Sequence, residues 1–200
     1  MANPTHHIDL ARHAQDESAR TTPTYHPCPD SPLTELGTEQ AREAAKNLAA
    51  DYAGILHSPI LRARQTAKLF SEVSGLPLLA ELPCLSEWRP PSSVYGKTPD
   101  QYDDEYRQWR YTRTEDPSLA YLDGESLLAL HERARFALHE LTRPTAENGP
   151  LLVVSHKVFL GIITTHAHGP VEAFQRATSE PWAHCEVRRL DTRPQSSTEA

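Results

Sequence analysis

The sequence predicts a three-layer α/β/α sandwich with a mainly parallel sheet and one inserted capping segment. Three observations lead there. Short apolar runs alternate with stretches whose apolar residues recur at helical spacing, the pattern of strand–helix–strand units. One run, Leu151-Leu152-Val153-Val154-Ser155, is almost continuously apolar, as a strand buried on both faces must be. And 200 residues, 38% hydrophobic and 24% charged, suit one globular domain with a full core, expected over residues 1–190.

The elements follow in order. Ile8-Asp9-Leu10-Ala11 reads as the first strand and ends at Arg12-His13. A helix is expected from about Leu33 to Tyr52, with Thr34 as N-cap and a stripe of Leu36, Ala41, Ala44, Ala45, Leu48 and Tyr52. Gly54–His57 is a second strand. Ser58-Pro59 then signals a helix start, with Ser at the N-cap and Pro at the first helical position. Ile60, Ala63, Ala67 and Phe70 give that helix one apolar face. Pro77–Ala80 is a short strand. Residues 88–123 break the alternation with Trp88, Tyr95, Tyr102, Tyr106, Trp109, Tyr111 and Tyr121 among charges of both signs, and read as a partly helical cap over one end of the sheet. Helices over 124–142 and 157–167 flank the 151–155 strand. Ala183–Leu190 supplies a late edge strand, which leaves a homodimer open, and 191–200 reads as a disordered tail.

Several functional classes drop out. No run approaches the roughly 18 to 20 apolar residues of a membrane span. Met1–His7 is polar, without an apolar signal region, so a cytoplasmic protein is expected. A net charge of −7 argues against nucleic-acid partners. Cys28, Cys84 and Cys185 are widely spaced and odd in number, reading as separate reduced thiols. His6-His7 and His166-Ala167-His168 lack acidic or cysteine partners at ligand spacing, so no metal and no cofactor is implied.

Ligands of open parallel sheets bind beyond the carboxyl ends of the strands. Arg12-His13 and His156 each stand at such an end, and Arg62 lies one helical turn after a third. Helical side chains lean toward the N-terminus, so Arg62 reaches back over the strand end. The helix start at Ser58-Pro59 adds backbone N–H groups and a positive dipole end. Two arginines, two histidines and helix termini suit a phosphoryl group.

The motifs Leu10-Ala11-Arg12-His13, Pro32-Leu33-Thr34-Glu35-Leu36-Gly37-Thr38-Glu39-Gln40-Ala41 and Ser58–Ala67 are followed by Leu85-Ser86-Glu87, Asp123-Gly124-Glu125-Ser126 and Val154-Ser155-His156. In this order the chain resembles the histidine phosphatase superfamily, which includes cofactor-dependent phosphoglycerate mutases and many phosphatases. The resemblance implies His13 as the nucleophile, carrying a phosphohistidine. It implies Arg12, Arg62 and His156 as holders of the phosphoryl oxygens, and Glu87 as general acid, then base. The residues themselves agree: arginine charge disfavours imidazolium, leaving His13 neutral and nucleophilic.

The chain departs from the family pattern in three places. Ala14 stands where glycine commonly follows the histidine. Ala19 replaces a common asparagine, whose contact Ser18 or Arg20 would have to supply. Lys157 replaces a glycine after the second histidine, and either engages a second anionic or polar group of the substrate or points to solvent. Gln15, Ser18 and Lys157 are accordingly expected to bind substrate. The 88–123 stretch lacks the tyrosine- and glycine-rich motif of mutases, so hydrolysis of a small phosphorylated metabolite is expected. A mutase and a non-catalytic phospho-ligand module are the alternatives.

Overall fold

The computed structural model describes residues 7–20 and 25–191, with the side chains of all of these but 143–148. Met1–His6 and the tail beyond Asp191 lie outside the described residues. Strands β1 (Ile8–Arg12), β2 (Gly54–His57), β3 (Leu78–Glu81) and β4 (Leu151–Ser155) run parallel, while β5 (Val187–Arg189) pairs antiparallel with β1 at one edge. The sheet order is β3-β2-β4-β1-β5. Every residue of the central strand β4 is buried. Arg12 pairs with Ser155 and His57 with Val154, so the carboxyl ends of β1, β4 and β2 finish almost level.

Alternate residues of a strand point to opposite faces, and this builds three layers. Ile8, Leu10, Leu56, Leu151 and Val153 face a core completed by α4 (Leu127–Asn148), α5 (Lys157–Thr165) and α6 (Pro170–Ser179). Ala11, Ile55, Leu152 and Val154 face the other core, closed by α1 (Glu35–Ala45) and α2 (Leu61–Ser74). The 88–123 segment holds α3 (Asp104–Thr112), whose Tyr106 and Trp109 extend the first core. Arg113 lies over the rings of Trp88, Trp109 and Phe174, at 5.3, 5.3 and 4.5 Å, and so ties this segment to α6. Among the described residues no helix is long and apolar enough to cross a membrane.

Several element boundaries differ from expectation, and the late strand expected over Ala183–Leu190 is confined to Val187–Arg189. α1 stops at Ala45, not near Tyr52, because Lys46, Asn47 and Leu48 donate to the third residue back and tighten the chain into a turn. Tyr52 then turns inward to give its hydroxyl to Asp9, at 2.5 Å. α2 begins at Leu61 rather than after Ser58, since the Ser58 hydroxyl is engaged by His156, at 2.8 Å, and by the Ile60 amide. α4 begins at Leu127 because the amides of Gly124 and Glu125 donate to Tyr121 and Arg89 in the inserted segment. The 157–167 stretch divides into α5 and a single 3-10 turn over 166–168, and α6 then follows where no helix was expected. Pro170 at its first turn and Ala173, Phe174 and Ala177 on one face were the available signal.

α5 and α6 touch at Gly161, where a Cβ would stand 2.5 Å from the Ala177 Cβ. Gly161→Val therefore forces the two helices apart and should destabilise the fold by about 2–3 kcal/mol. The check is the urea midpoint, and an unchanged midpoint would contradict this packing.

Candidate active site

The site begins as a continuation of the sheet. The His13 amide donates to the Ser155 carbonyl, at 2.9 Å, and the Ser58 amide to Val154, at 3.0 Å. These bonds lie at the strand ends and fix where both residues leave the sheet. His156 follows β4 directly and is the N-cap residue of α5.

His13 is buried, with Nδ1 2.7 Å from the Ala14 carbonyl. A carbonyl oxygen only accepts, so Nδ1 carries the proton and Nε2 the lone pair. The Ala14 amide is held in turn by Thr66 Oγ1 of α2, at 3.0 Å. Burial, and then the charges of Arg62 and Arg12, hold the His13 pKa well below 6.5. The imidazole is thus neutral at physiological pH.

Arg62, in the first turn of α2, donates from Nε to His13 Nε2, at 3.3 Å, and from a terminal nitrogen to the Cys28 carbonyl, also at 3.3 Å. Its counter-charge is Asp16, whose Oδ2 lies 3.3 Å from Arg62 Nε and 3.9 Å from His13 Nδ1. The other Asp16 oxygen accepts the amide and hydroxyl of Ser18. Arg12 gives one terminal nitrogen to the Trp182 carbonyl and the other to His184 Nε2, at 2.9 Å, while its buried Nε has no partner. His184 accepts readily because burial, followed by the Arg12 charge, pushes its pKa down to about 4 against an opposing pull from Asp16.

His156 is fully buried behind His13, with ring centroids 5.0 Å apart. Its Nε2 meets Ser58 Oγ, and its Nδ1 is unpartnered. Burial and Arg62 depress its pKa strongly as well. Glu87 reaches the start of α5 from a neighbouring loop and accepts the amides of Val158 (3.2 Å), Phe159 (2.9 Å) and Trp88 (2.8 Å). His156 makes no side-chain cap, so a carboxylate from another loop satisfies the orphan N–H groups of the helix. That loop is pinned by Arg133, which donates to the carbonyls of Cys84, Ser86 and Glu87 while forming a two-point pair with Glu125.

A cavity of about 640 Å³ opens over these groups, and Arg12, His13, Arg62, Glu87, Ser18 and Lys157 line it. Two expected members do not. His156 lies beneath the lining. Gln15 is turned to the start of α1, where its side chain accepts the Thr34 hydroxyl, at 2.9 Å, and its carbonyl the Thr34 amide. Gln15, expected to bind substrate, thus stands outside the cavity lining: α1 needs acceptors at its N-terminus, and Gln15 supplies them. The Ser18 hydroxyl is committed to Asp16, and Arg20 pairs with Glu17, at 3.0 Å, in an exposed position. Lys157 gives its ammonium to the Thr178 carbonyl at the end of α6, at 3.2 Å, and burial followed by the Arg12 charge lowers its pKa.

Asp16, His184 and Arg133 escaped sequence reasoning. Asp16 lies three residues after His13, but no periodicity marks it. His184 and Arg133 are brought in by distant segments and carried no local signal. Glu125 stood in a quoted motif, without an assigned task.

The model of the "Histidine phosphatase superfamily (branch 1)" matches residues 8–198. The "Probable phosphoglycerate mutase GpmB" of Enterobacter sp. (strain 638) is 32% identical over 169 residues, covering 81% of this chain and 74% of that protein. The protein of the same name from Yersinia pestis (strain Pestoides F) is 33% identical over 168 residues, with the same coverage. Among solved structures, a mycobacterial glucosyl-3-phosphoglycerate phosphatase in complex with VO3 superimposes with a TM-score of 0.73 at 24% identity, over 92% of this chain and 90% of that one. A putative alpha-ribazole-5'-P phosphatase from Escherichia coli gives a TM-score of 0.69 at 23% identity, over 84% and 83%.

The depressed histidines make stability depend on pH. His26 and His184, both lowered to about 4 chiefly by burial, stay neutral in the folded protein where the unfolded chain already binds protons below about 6.5. Their contribution is present above pH 6.5 and is lost as the pH falls from about 6.5 to 4. Denaturant midpoints should drop across that window, and His184→Gln should make the drop shallower. An identical pH profile for the variant would contradict this.

Proposed function

The chain belongs to the histidine phosphatase superfamily, branch 1, and we propose that it is a phosphatase hydrolysing a small phosphorylated metabolite through a phosphohistidine on His13. The observation that carries this reading is the tautomer of His13: Ala14 holds the proton on Nδ1 and leaves the Nε2 lone pair beside Arg62 at the cavity. Nε2 attacks phosphorus, the bond from phosphorus to the alcohol oxygen breaks, and Glu87 gives that oxygen a proton. Water then attacks the phosphohistidine, Glu87 takes the water's proton, and inorganic phosphate leaves with the His13 lone pair restored. Arg12 and Arg62 balance charge on the transferring group, in a site that supplies positioning and electrostatics. His156 would act from beneath, its neutral ring set against that of His13. Every step uses side chains of this chain, and a cytoplasmic metabolite is the expected substrate.

A mutase is the second reading, because relatives 32–33% identical bear that name. The structural neighbours cited above are called phosphatases instead. Hydrolysis is preferred because the 88–123 segment lacks the mutase motif, and a phosphatase needs only water at the phosphohistidine.

His13→Ala should lower phosphate release from a panel of sugar phosphates, nucleotides and phosphoglycerates by at least about a thousandfold. Radiolabelled substrate quenched during turnover should leave label on His13 that survives alkali and is lost in acid. Phosphate moved between positions of phosphoglycerate, without release, would favour the mutase. A folded protein that neither labels nor releases phosphate would overturn both enzyme readings. Arg62→Ala should cost about 10²–10³ in kcat, as loss of one transition-state donor does.

A further inference from the structure

We propose that the cavity beyond His13 is a leaving-group subsite for an uncharged, ring-bearing alcohol, so that the substrates are phosphomonoesters of aromatic or heterocyclic alcohols rather than of compact carboxylated ones. The inference rests on the phosphatase reading for what is cleaved, and on the cavity alone for what is bound. Size comes first. A volume of about 640 Å³ is that of a site for a drug-sized ligand, and a phosphoryl group with a three-carbon acid would leave most of it empty.

The lining comes second. Trp88, His26 and Tyr95 border the same cavity as His13 and Glu87. The first two of these rings are fixed in place by their neighbours. Trp88 is backed by Phe174, with centroids 5.5 Å apart, and by the Arg113 guanidinium, at 5.3 Å, while its indole N–H donates to the Glu125 carbonyl, at 2.9 Å. His26 stands edge-on to Trp88, at 6.3 Å, and against Tyr102, at 5.8 Å. Its backbone forms an isolated bridge with Tyr95: the His26 amide donates to the Lys97 carbonyl and the Gly96 amide to the His26 carbonyl. Burial, with Arg110 and Arg113 nearby, pushes His26 down to about 4, so the ring is neutral at pH 7. Rigid aromatic walls of this kind take a ring in offset or edge-to-face contact without an ordering cost.

The third observation is where the cations are spent. Arg133 is bound at two points by Glu125 and by three backbone carbonyls. Lys157 is bound to Thr178, and the Nε of Arg89 to the Asp123 carbonyl. A second carboxylate or phosphate would have to compete with Glu125 for Arg133, with the Thr178 carbonyl for part of Lys157, or with water for the exposed Arg89. A neutral ring meets no such cost.

The test uses the full chain and phosphonates, which lack the ester bond, so that binding is read without turnover. Calorimetry compares methylphosphonate, phosphonoacetate, benzylphosphonate and naphthylmethylphosphonate. The ring-bearing pair should bind about tenfold or more tightly than methylphosphonate, as one or two aromatic contacts plus buried area provide. Phosphonoacetate should gain nothing over methylphosphonate. Tyr95→Ala, at a half-buried position, should shrink the ratio between naphthylmethyl- and methylphosphonate. Equal affinities for all four, or a preference for phosphonoacetate, overturns the proposal. Ring preference without phosphate release from any monoester leaves the subsite standing and removes the phosphatase reading. Rapid hydrolysis of compact esters without ring preference removes the subsite alone.

Discussion

Two guanidinium groups, Arg12 and Arg62, are withdrawn from solvent at the end of a parallel sheet, and the rest of the site is arranged around that cost. Arg62 is only 3% exposed. A cation in such a place needs carbonyls, a counter-charge or neutral acceptors. The structure supplies all three kinds: the carbonyls of Cys28 and Trp182, the Asp16 carboxylate and the neutral ring of His184. Burial, and then the same concentration of charge, keeps His13 and His156 from protonating. Burial and charge together therefore set concentrated positive charge beside an unprotonated nitrogen.

Asp16 shows how finely that arrangement is balanced. Its carboxylate stands inside a site otherwise suited to an anion, paired with Arg62 and held by Ser18. It offsets part of the positive charge there and orients the guanidinium. Glu87 is likewise engaged twice over. It caps α5, which places its oxygens at the cavity edge, and Arg133 secures the loop from which it reaches.

Much of the architecture was legible in the sequence because it depends on local chemistry. The buried run at 151–155, the Thr34 cap and the alternation of strands with amphipathic helices are properties of neighbouring residues. The motifs also located Arg12, His13, Arg62 and Glu87, which the fold brings around one cavity. Gln15 went the other way: two residues after His13 in sequence, it faces α1, because a helix N-terminus competes for its oxygens. Ser58 has the local signature of a helix cap, yet His156, 98 residues away, takes part of its hydroxyl.

The sequence by itself determined the α/β architecture, the family and the residues at the strand ends, since periodicity, caps and ordered motifs are written along the chain. Only the tertiary structure decided which partners those residues meet. Asp16 against Arg62, His184 against Arg12, Arg133 beneath Glu87 and the rings over the cavity each join segments far apart in sequence or follow a turn of the backbone. Such contacts arise from burying charge and aromatic area together, and that balance is struck only when the layers close.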